Sequence, residues 1–321
     1  MSTIGEPWMW GLFFAFVAVM LSVDFFLLGG KKAHRVSIKE SLSWTMVWVA
    51  CAFLFNFLLW HYLKQTHPDV ANQRSVEFLT GYLIEKSLSI DNVFIILMIF
   101  NYFAIPPEYQ RRVLLFGVLG AIVMRLLLIL FGIWVISRFE WVLYLFGLFL
   151  LITGVKMFIF ANEKPDLAAN PILLWMKNHL RITPELHHER FTIIKNKLRY
   201  VTPLFVVLIL VEISDLIFAV DSIPAIFAIT HDPFIVFTSN IFAILGLRAL
   251  YFLLSDMNDR FHLLKFGIAF ILVFIGIKML IMHWIKIPAL ISFAVVASIL
   301  IFTMLLSVYQ NKKNGVAQKT K

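Results

Sequence analysis

Polar residues are scarce enough along this chain that nine long apolar stretches stand out, at 8–28, 42–63, 77–103, 113–136, 141–160, 203–229, 234–254, 263–283 and 288–309. Crossing the hydrocarbon layer takes about 17–25 mostly apolar residues in a helix, so the pattern predicts an all-α polytopic membrane protein with about nine transmembrane helices. The first stretch is read as a permanent span. It lacks a basic leader, is too long for a cleaved signal and contains Asp24 near its inner end. The one sizeable polar segment is 161–200, where Pro171–Leu180 has the pattern of a short amphipathic helix on the membrane surface.

Lysine and arginine set the expected orientation. With the N-terminus outside, nineteen of them fall on the inner side, including Lys31, Lys32, Arg35, Lys39, Arg111 and Arg112 and seven in 161–200. The outer segments hold only Lys64, Arg74, Arg138 and Lys286. This bias predicts an outside N-terminus and an inside C-terminus, with the tail 310–321 in the cytosol. The composition agrees, with 61% hydrophobic residues and a mean hydropathy of +0.87. The net charge of +9 then reports topology and contact with anionic membrane lipids, not nucleic acid. Trp8, Trp10, Trp60 and Trp141 near span ends read as interface anchors. The single cysteine, Cys51, excludes a disulfide framework within the chain and reads as a small packing residue.

The exceptions inside the spans carry the chemistry. Glu85-Lys86-Ser-Leu-Ser-Ile-Asp91-Asn92 in the third span is echoed by Asp215-Leu-Ile-Phe-Ala-Val-Asp221-Ser222 in the sixth, preceded by Glu212. A charge at the bilayer centre costs about 2.5–3.5 kcal/mol on insertion scales, so five acids facing lipid would cost on the order of 15 kcal/mol. Two further signatures repeat in order: Gly-Ala-Ile-Val-Met-Arg125 against Ala-Ile-Leu-Gly-Leu-Arg248, then Thr-Gly-Val-Lys156-Met against Ile-Gly-Ile-Lys278-Met. Spans three to five (77–160) and six to eight (203–283) are therefore two copies of one unit. Three crossings each make them an inverted repeat, an arrangement that places a substrate site near the midplane. Spans one and two (8–63) and the last (288–309) are peripheral additions in one transmembrane domain.

Asp91 and Asp221 are the natural pair across the repeat axis, with the amide of Asn92 and the hydroxyl of Ser222 beside them. Two carboxylates with neutral oxygens, and no local Cys or His, suit Mn²⁺, Mg²⁺ or Ca²⁺. Glu212 and Asp215 share a helix face, whereas Glu212 and Asp221 point to opposite sides. Either span six breaks at Pro224 and gathers them in one shell, or Asp91 and Asp221 form the centre and Glu85, Glu212 and Asp215 act as relays. Lys86, Arg125 and Arg248 are expected to pair with these acids and hold them in place. The five acids and three cations leave a charge of −2, which one divalent cation or two protons would balance. That balance favours metal–proton exchange. His179, His187 and His188, with Glu189, lie in the cytosolic segment, where adjacent solvated histidines ordinarily bind no metal.

These motifs resemble the TerC family of bacterial inner-membrane proteins, and closely its pH-responsive Alx-like branch. The resemblance is carried by 78–94, 212–225 and Ser239-Asn240-Ile-Phe-Ala-Ile-Leu-Gly-Leu-Arg248-Ala-Leu-Tyr251, and it covers essentially the whole chain. It implies manganese efflux, with Glu85, Asp91, Glu212, Asp215 and Asp221 as the intramembrane acids. An acid-rich site is electrostatically wrong for tellurite, the oxyanion behind the family's name. The expected function is a secondary transporter exporting Mn²⁺ from the cytosol across the bacterial inner membrane, with no permanent cofactor. The competing reading is a membrane scaffold that docks accessory proteins through 161–200. An oligomer suits either reading. No nucleophile triad, phosphate loop or cofactor fingerprint points to an enzyme.

Overall fold

The computed structural model describes residues 3–27, 38–139, 141–159, 171–187, 189–195, 198–255, 263–285 and 287–319. Each of the nine apolar stretches is helical. The helices are α1 (Pro7–Leu27), α2 (Ile38–Thr66), α3 (Pro68–Tyr102), α4 (Pro107–Arg138), α5 (Val142–Ile159), α6 (Pro171–His179), α7 (Pro203–Phe227), α8 (Pro233–Ile244), α9 (Leu247–Ser255), α10 (Leu264–Ile281) and α11 (Ala289–Lys319). Six of them open on proline, whose missing N–H costs nothing in a first turn that has no acceptor for it. Among the described residues, six helices are long and apolar enough to cross a membrane, counting α8 and α9 together, and Pro7–Val23 is a shorter apolar helix.

The most buried span is the interrupted one. In Pro233–Leu253, 94% of the apolar window is buried, against 22% for the windows of α2 and α11. The α8–α9 pair therefore forms the axis of the bundle, packed by α2, α3 and α4. Phe53, Leu54, Phe57 and Leu58 on α2 stay exposed, as a lipid-facing side requires. Asp232 caps α8 by accepting from Phe234 N at 2.9 Å and Ile235 N at 3.3 Å. The same carboxylate accepts from Ile4 N at 2.8 Å, which ties the N-terminal segment to the axis. Trp10 is a packing residue more than an anchor, edge-on to Phe234 at 5.1 Å, while Trp8 and Trp141 are exposed.

Span six does not break at Pro224, because α7 runs through it to Phe227. The interruption lies in span seven, at Leu245 and Gly246. Gly246 has φ +83°, and a Cβ there would lie 2.6 Å from the Trp48 ring. One lost donor is tolerable inside a packed helix, whereas a left-handed residue ends the helical run outright. Lys86 supports the new C-terminus by donating from Nζ to Ala243 O at 3.1 Å, a cation at the negative end of a half-helix.

Elsewhere α5 and α10 pack backbone to backbone through small residues. A Cβ on Gly276 would lie 2.7 Å from Leu151 N and 2.8 Å from Gly147 O. Between α5 and α7, α6 forms as expected, burying Leu173 and Met176. The all-α expectation misses a hairpin, β1 (Thr192–Lys195) against β2 (Leu198–Val201). His179 stacks on Trp175, His187 Nδ1 meets Glu185 O at 3.0 Å, and Glu189 pairs with Arg112 at 3.7 Å. His188 lies outside the described residues, as do Lys31, Lys32, Arg35 and Lys286.

Gly246→Ala is expected to destabilise the protein by about 1–3 kcal/mol through the forced φ, plus the clash with Trp48, read as a lower midpoint of thermal unfolding in detergent. Gly276→Val should part α5 from α10 and lower the midpoint further, whereas Gly11→Val, with nothing within 4 Å of its Cβ, should leave it unchanged.

Candidate functional site

The third span presents Glu85 and Asn92 seven residues apart, two turns along one face of α3. Opposite them stand Arg125 on α4, Asp215 on α7 and Asn240 on α8. Glu85 is 1% exposed, Arg125 2% and Asn240 0%, so none of these groups can rely on water. They solve the problem on one another.

Arg125 is the hub. Its Nη1 donates to Glu85 Oε1 and, at 2.6 Å, to Asn240 Oδ1. Its Nη2 and Nε donate to Asp215 Oδ1 at 3.0 Å and Oδ2 at 3.3 Å, a two-pronged grip that only a guanidinium can make. Asn92 Nδ2 adds a bond to Asp215 Oδ1 at 3.0 Å, and Asn240 Nδ2 one to Glu85 Oε2 at 3.3 Å. Four helices are thereby joined by one guanidinium. The expected pairing of Arg125 with Glu85 and Asp215 is what the structure contains.

The other acids lie apart from this network. Glu212 points to α4, where it fits against Gly120 so closely that a Cβ there would overlap its carboxylate. Its Oε2 is buried and, among the described residues, has no hydrogen-bond partner. Asp221 turns to the other side of α7, toward Thr153 on α5. Ser222, beside it, is fully buried, and its Oγ has no hydrogen-bond partner among the described residues. The 180° separation of Glu212 and Asp221 is thus realised because α7 stays helical. Asp91 belongs to α3, but its side chain, like that of Asp24, lies outside the described ones. Among the described residues, no three of His, Cys, Asp and Glu group as a metal site.

One expectation for the cations changes. Lys86 meets the Ala243 carbonyl in place of the acids assigned to it, because the α8 interruption supplies an acceptor that an unbroken span would not. Arg248 is buried in the first turn of α9. Asn240 is the member that sequence reasoning passed over. The signal was there: an amide in the middle of an otherwise apolar span has to find partners. Glu77 was also missed. It is 2% exposed and accepts from Gln73 and Arg74, each at 2.7 Å. With Lys278, which donates to Ser292 Oγ at 2.9 Å, it lines a chamber of about 1030 Å³ reached from the ends of α3, α4, α7 and α10.

Comparison with known proteins places these residues in a wider group. The model of the "Integral membrane protein TerC family" matches residues 70–315, from α3 into α11. The Alx protein of Salmonella typhi, provisionally described as a membrane-bound redox modulator, is 54% identical over 312 residues, 97% of each chain. Its counterpart in Escherichia coli K12 is 53% identical over 315 residues, 98% of each. An uncharacterized membrane protein of Myxococcus xanthus is 43% identical over 298 residues, 93% of this chain and 91% of that one. No solved structure matches. With a family match over most of its length and relatives aligned nearly end to end, this multi-pass membrane protein belongs to the TerC family.

Proposed function

We propose that this protein is a secondary transporter that exports divalent metal, most readily Mn²⁺, from the cytosol across the bacterial inner membrane in exchange for protons. The observation that carries the reading is the acids that Arg125 leaves unclaimed. Structural ion pairing accounts for Glu85 and Asp215. It does not account for Glu212, which keeps a buried oxygen with no hydrogen-bond partner among the described residues, or for Asp221, which has no ion pair among them. Keeping such groups in a membrane span is costly unless they meet a cation or a proton.

The packing supports an inverted repeat of α3–α5 and α7–α10. The contact of α3 with α8 is matched by that of α7 with α4, while α5 and α10 pack on each other. With the N-terminus outside, α7 rises from the cytosolic face, and its acids sit about 14, 18 and 27 Å along it from Pro203, at 1.5 Å per residue. Glu212 is then the step nearest the cytosol, Asp215 with Glu85 lies at mid-depth, and Asp221 with Ser222 carries the ion onward. The chamber by Glu77 is the outer exit. Carboxylate, amide and hydroxyl oxygens suit a hard or borderline cation, and the TerC resemblance singles out manganese among these. A carboxylate must be free of its proton to take metal, which is how the two fluxes are coupled.

Two other readings have an observation behind them. The Arg125 network is what a scaffold with purely structural ion pairs would contain, and the cytosolic hairpin is a surface such a scaffold could present. The redox role attributed to the Alx relatives has one thiol here, Cys51, which cannot close a disulfide within the chain.

Reconstituted into liposomes with an imposed proton gradient, the protein should carry Mn²⁺. Asp221→Asn and Glu212→Gln should each lower the flux by roughly tenfold or more while unfolding at near-wild-type temperature. Undiminished flux in both variants, or none from inserted wild type with gradients of either sign, would sink the transporter reading in favour of the scaffold.

A further inference from the structure

We infer that Arg125 is a tethered stand-in for the transported cation, exchanging with it for one seat between α3, α7 and α8. The inference rests on the transport reading for the identity of the cargo, but its geometry stands by itself. The guanidinium is met by four oxygens: Glu85 Oε1, Asn240 Oδ1 and both carboxylate oxygens of Asp215. Two carboxylates and an amide carbonyl converging from three helices are also the donor set a hard divalent cation takes.

The seat offers more acceptor capacity than Arg125 uses. Two carboxylates face one guanidinium, so the trio carries −1. Asn92, 2% exposed and bonded to Asp215 through Nδ2, keeps a buried Oδ1 with no partner among the described residues. That oxygen lies beside the seat and would add a further donor. A clamp built only to fix helices has no need of surplus oxygens, since each unpaired buried acceptor costs stability.

Guanidinium and divalent cation exclude each other there, because together they would place three positive charges on two carboxylates. The structure also supplies a second berth for Arg125. Glu212 lies one turn from Asp215 on α7, faces α4 across Gly120 and has a free oxygen. Moving from Asp215 to Glu212 keeps the guanidinium paired while the seat passes to the cargo. On the return step the arginine reoccupies the seat, so the transporter never reorients with two bare carboxylates in hydrocarbon. Arg125 thus serves as a positioning residue for the empty half of the cycle.

The test reads binding apart from flux. The purified full chain, Arg125→Gln, and Arg125→Gln combined with Asp215→Asn are unfolded thermally over a titration of MnCl₂ at constant ionic strength. Arg125→Gln should unfold at lower temperature without metal and recover by about 5 °C or more at a hundredfold excess over its Kd, a saturable gain well above that of the wild type. The double variant should lose the gain. An equal response in wild type and Arg125→Gln, or a gain that survives in the double variant, overturns the proposal. Should Arg125→Gln fail to fold, Arg125→Lys takes its place: a single ammonium cannot bridge all three residues, so its metal response should still exceed that of the wild type, and a response no larger overturns the proposal. Flux from the wild type with no metal gain in the variant sinks the stand-in and leaves transport standing. A gain without wild-type flux does the reverse.

Discussion

A charged group in hydrocarbon must find its solvent inside the protein, and here that solvent is largely one arginine. Arg125 joins α3, α4, α7 and α8 through Glu85, Asp215 and Asn240, each almost wholly buried. Breaking such a pair by removing one partner typically costs 3–5 kcal/mol, because the other is left charged and dry. The network therefore fixes the relative position of the first two helices of each repeat. It also decides which acids are left to do anything else.

The interrupted span follows from the same constraint. Ending α8 at Ile244 exposes carbonyls at the centre of the bundle, where no water is at hand to receive them. Lys86 answers one of these with its own charge, and Trp48 fills the space beside Gly246. A lysine that looks like a counter-ion in sequence is spent on the backbone. The two repeats are asymmetric here for a reason visible in their aligned signatures: Gly246 corresponds to Val123, and a β-branched residue cannot adopt a positive φ cheaply. Accordingly α4 runs unbroken past Val123 while its counterpart is cut in two.

The helices were legible because apolar length is a property of the chain itself, and proline marked where six of them begin; among the described residues, six of the nine expected spans are long and apolar enough to cross. The repeat is read from acid, arginine and lysine recurring in order. Pro224 misled, since a proline announces itself in sequence whereas a helix that tolerates it depends on its neighbours. The hairpin at 192–201 gave little signal: its strands are four residues each, and only Ile193, Ile194, Leu198 and Val201 are aliphatic among them. The grouping of Glu85, Arg125 and Asp215 followed from charge. That Asn240 would complete it, and that Lys86 would not, depends on residues more than 100 positions apart.

Aligning the acids across the repeats exposes a last asymmetry. Counting back three from Glu85 gives Tyr82, and three from Asp215 gives Glu212. Tyr82 is buried and Glu212 half-buried, each with a buried oxygen unpartnered among the described residues, but only the second is an acid. On the proposed transport reading, with the N-terminus outside, the extra carboxylate stands on the cytosolic approach and a phenol on the outer one. A phenol holds its proton and binds a hard cation poorly, whereas a carboxylate can attract one. The outer approach instead carries Arg74 and Lys278 around Glu77, cations that oppose entry from that side. On that reading an acid on the inner approach favours capture there, and fixed cations on the outer one oppose reloading after release. On the proposed reading, the direction of transport would lie in the places where the two matching halves of the sequence differ.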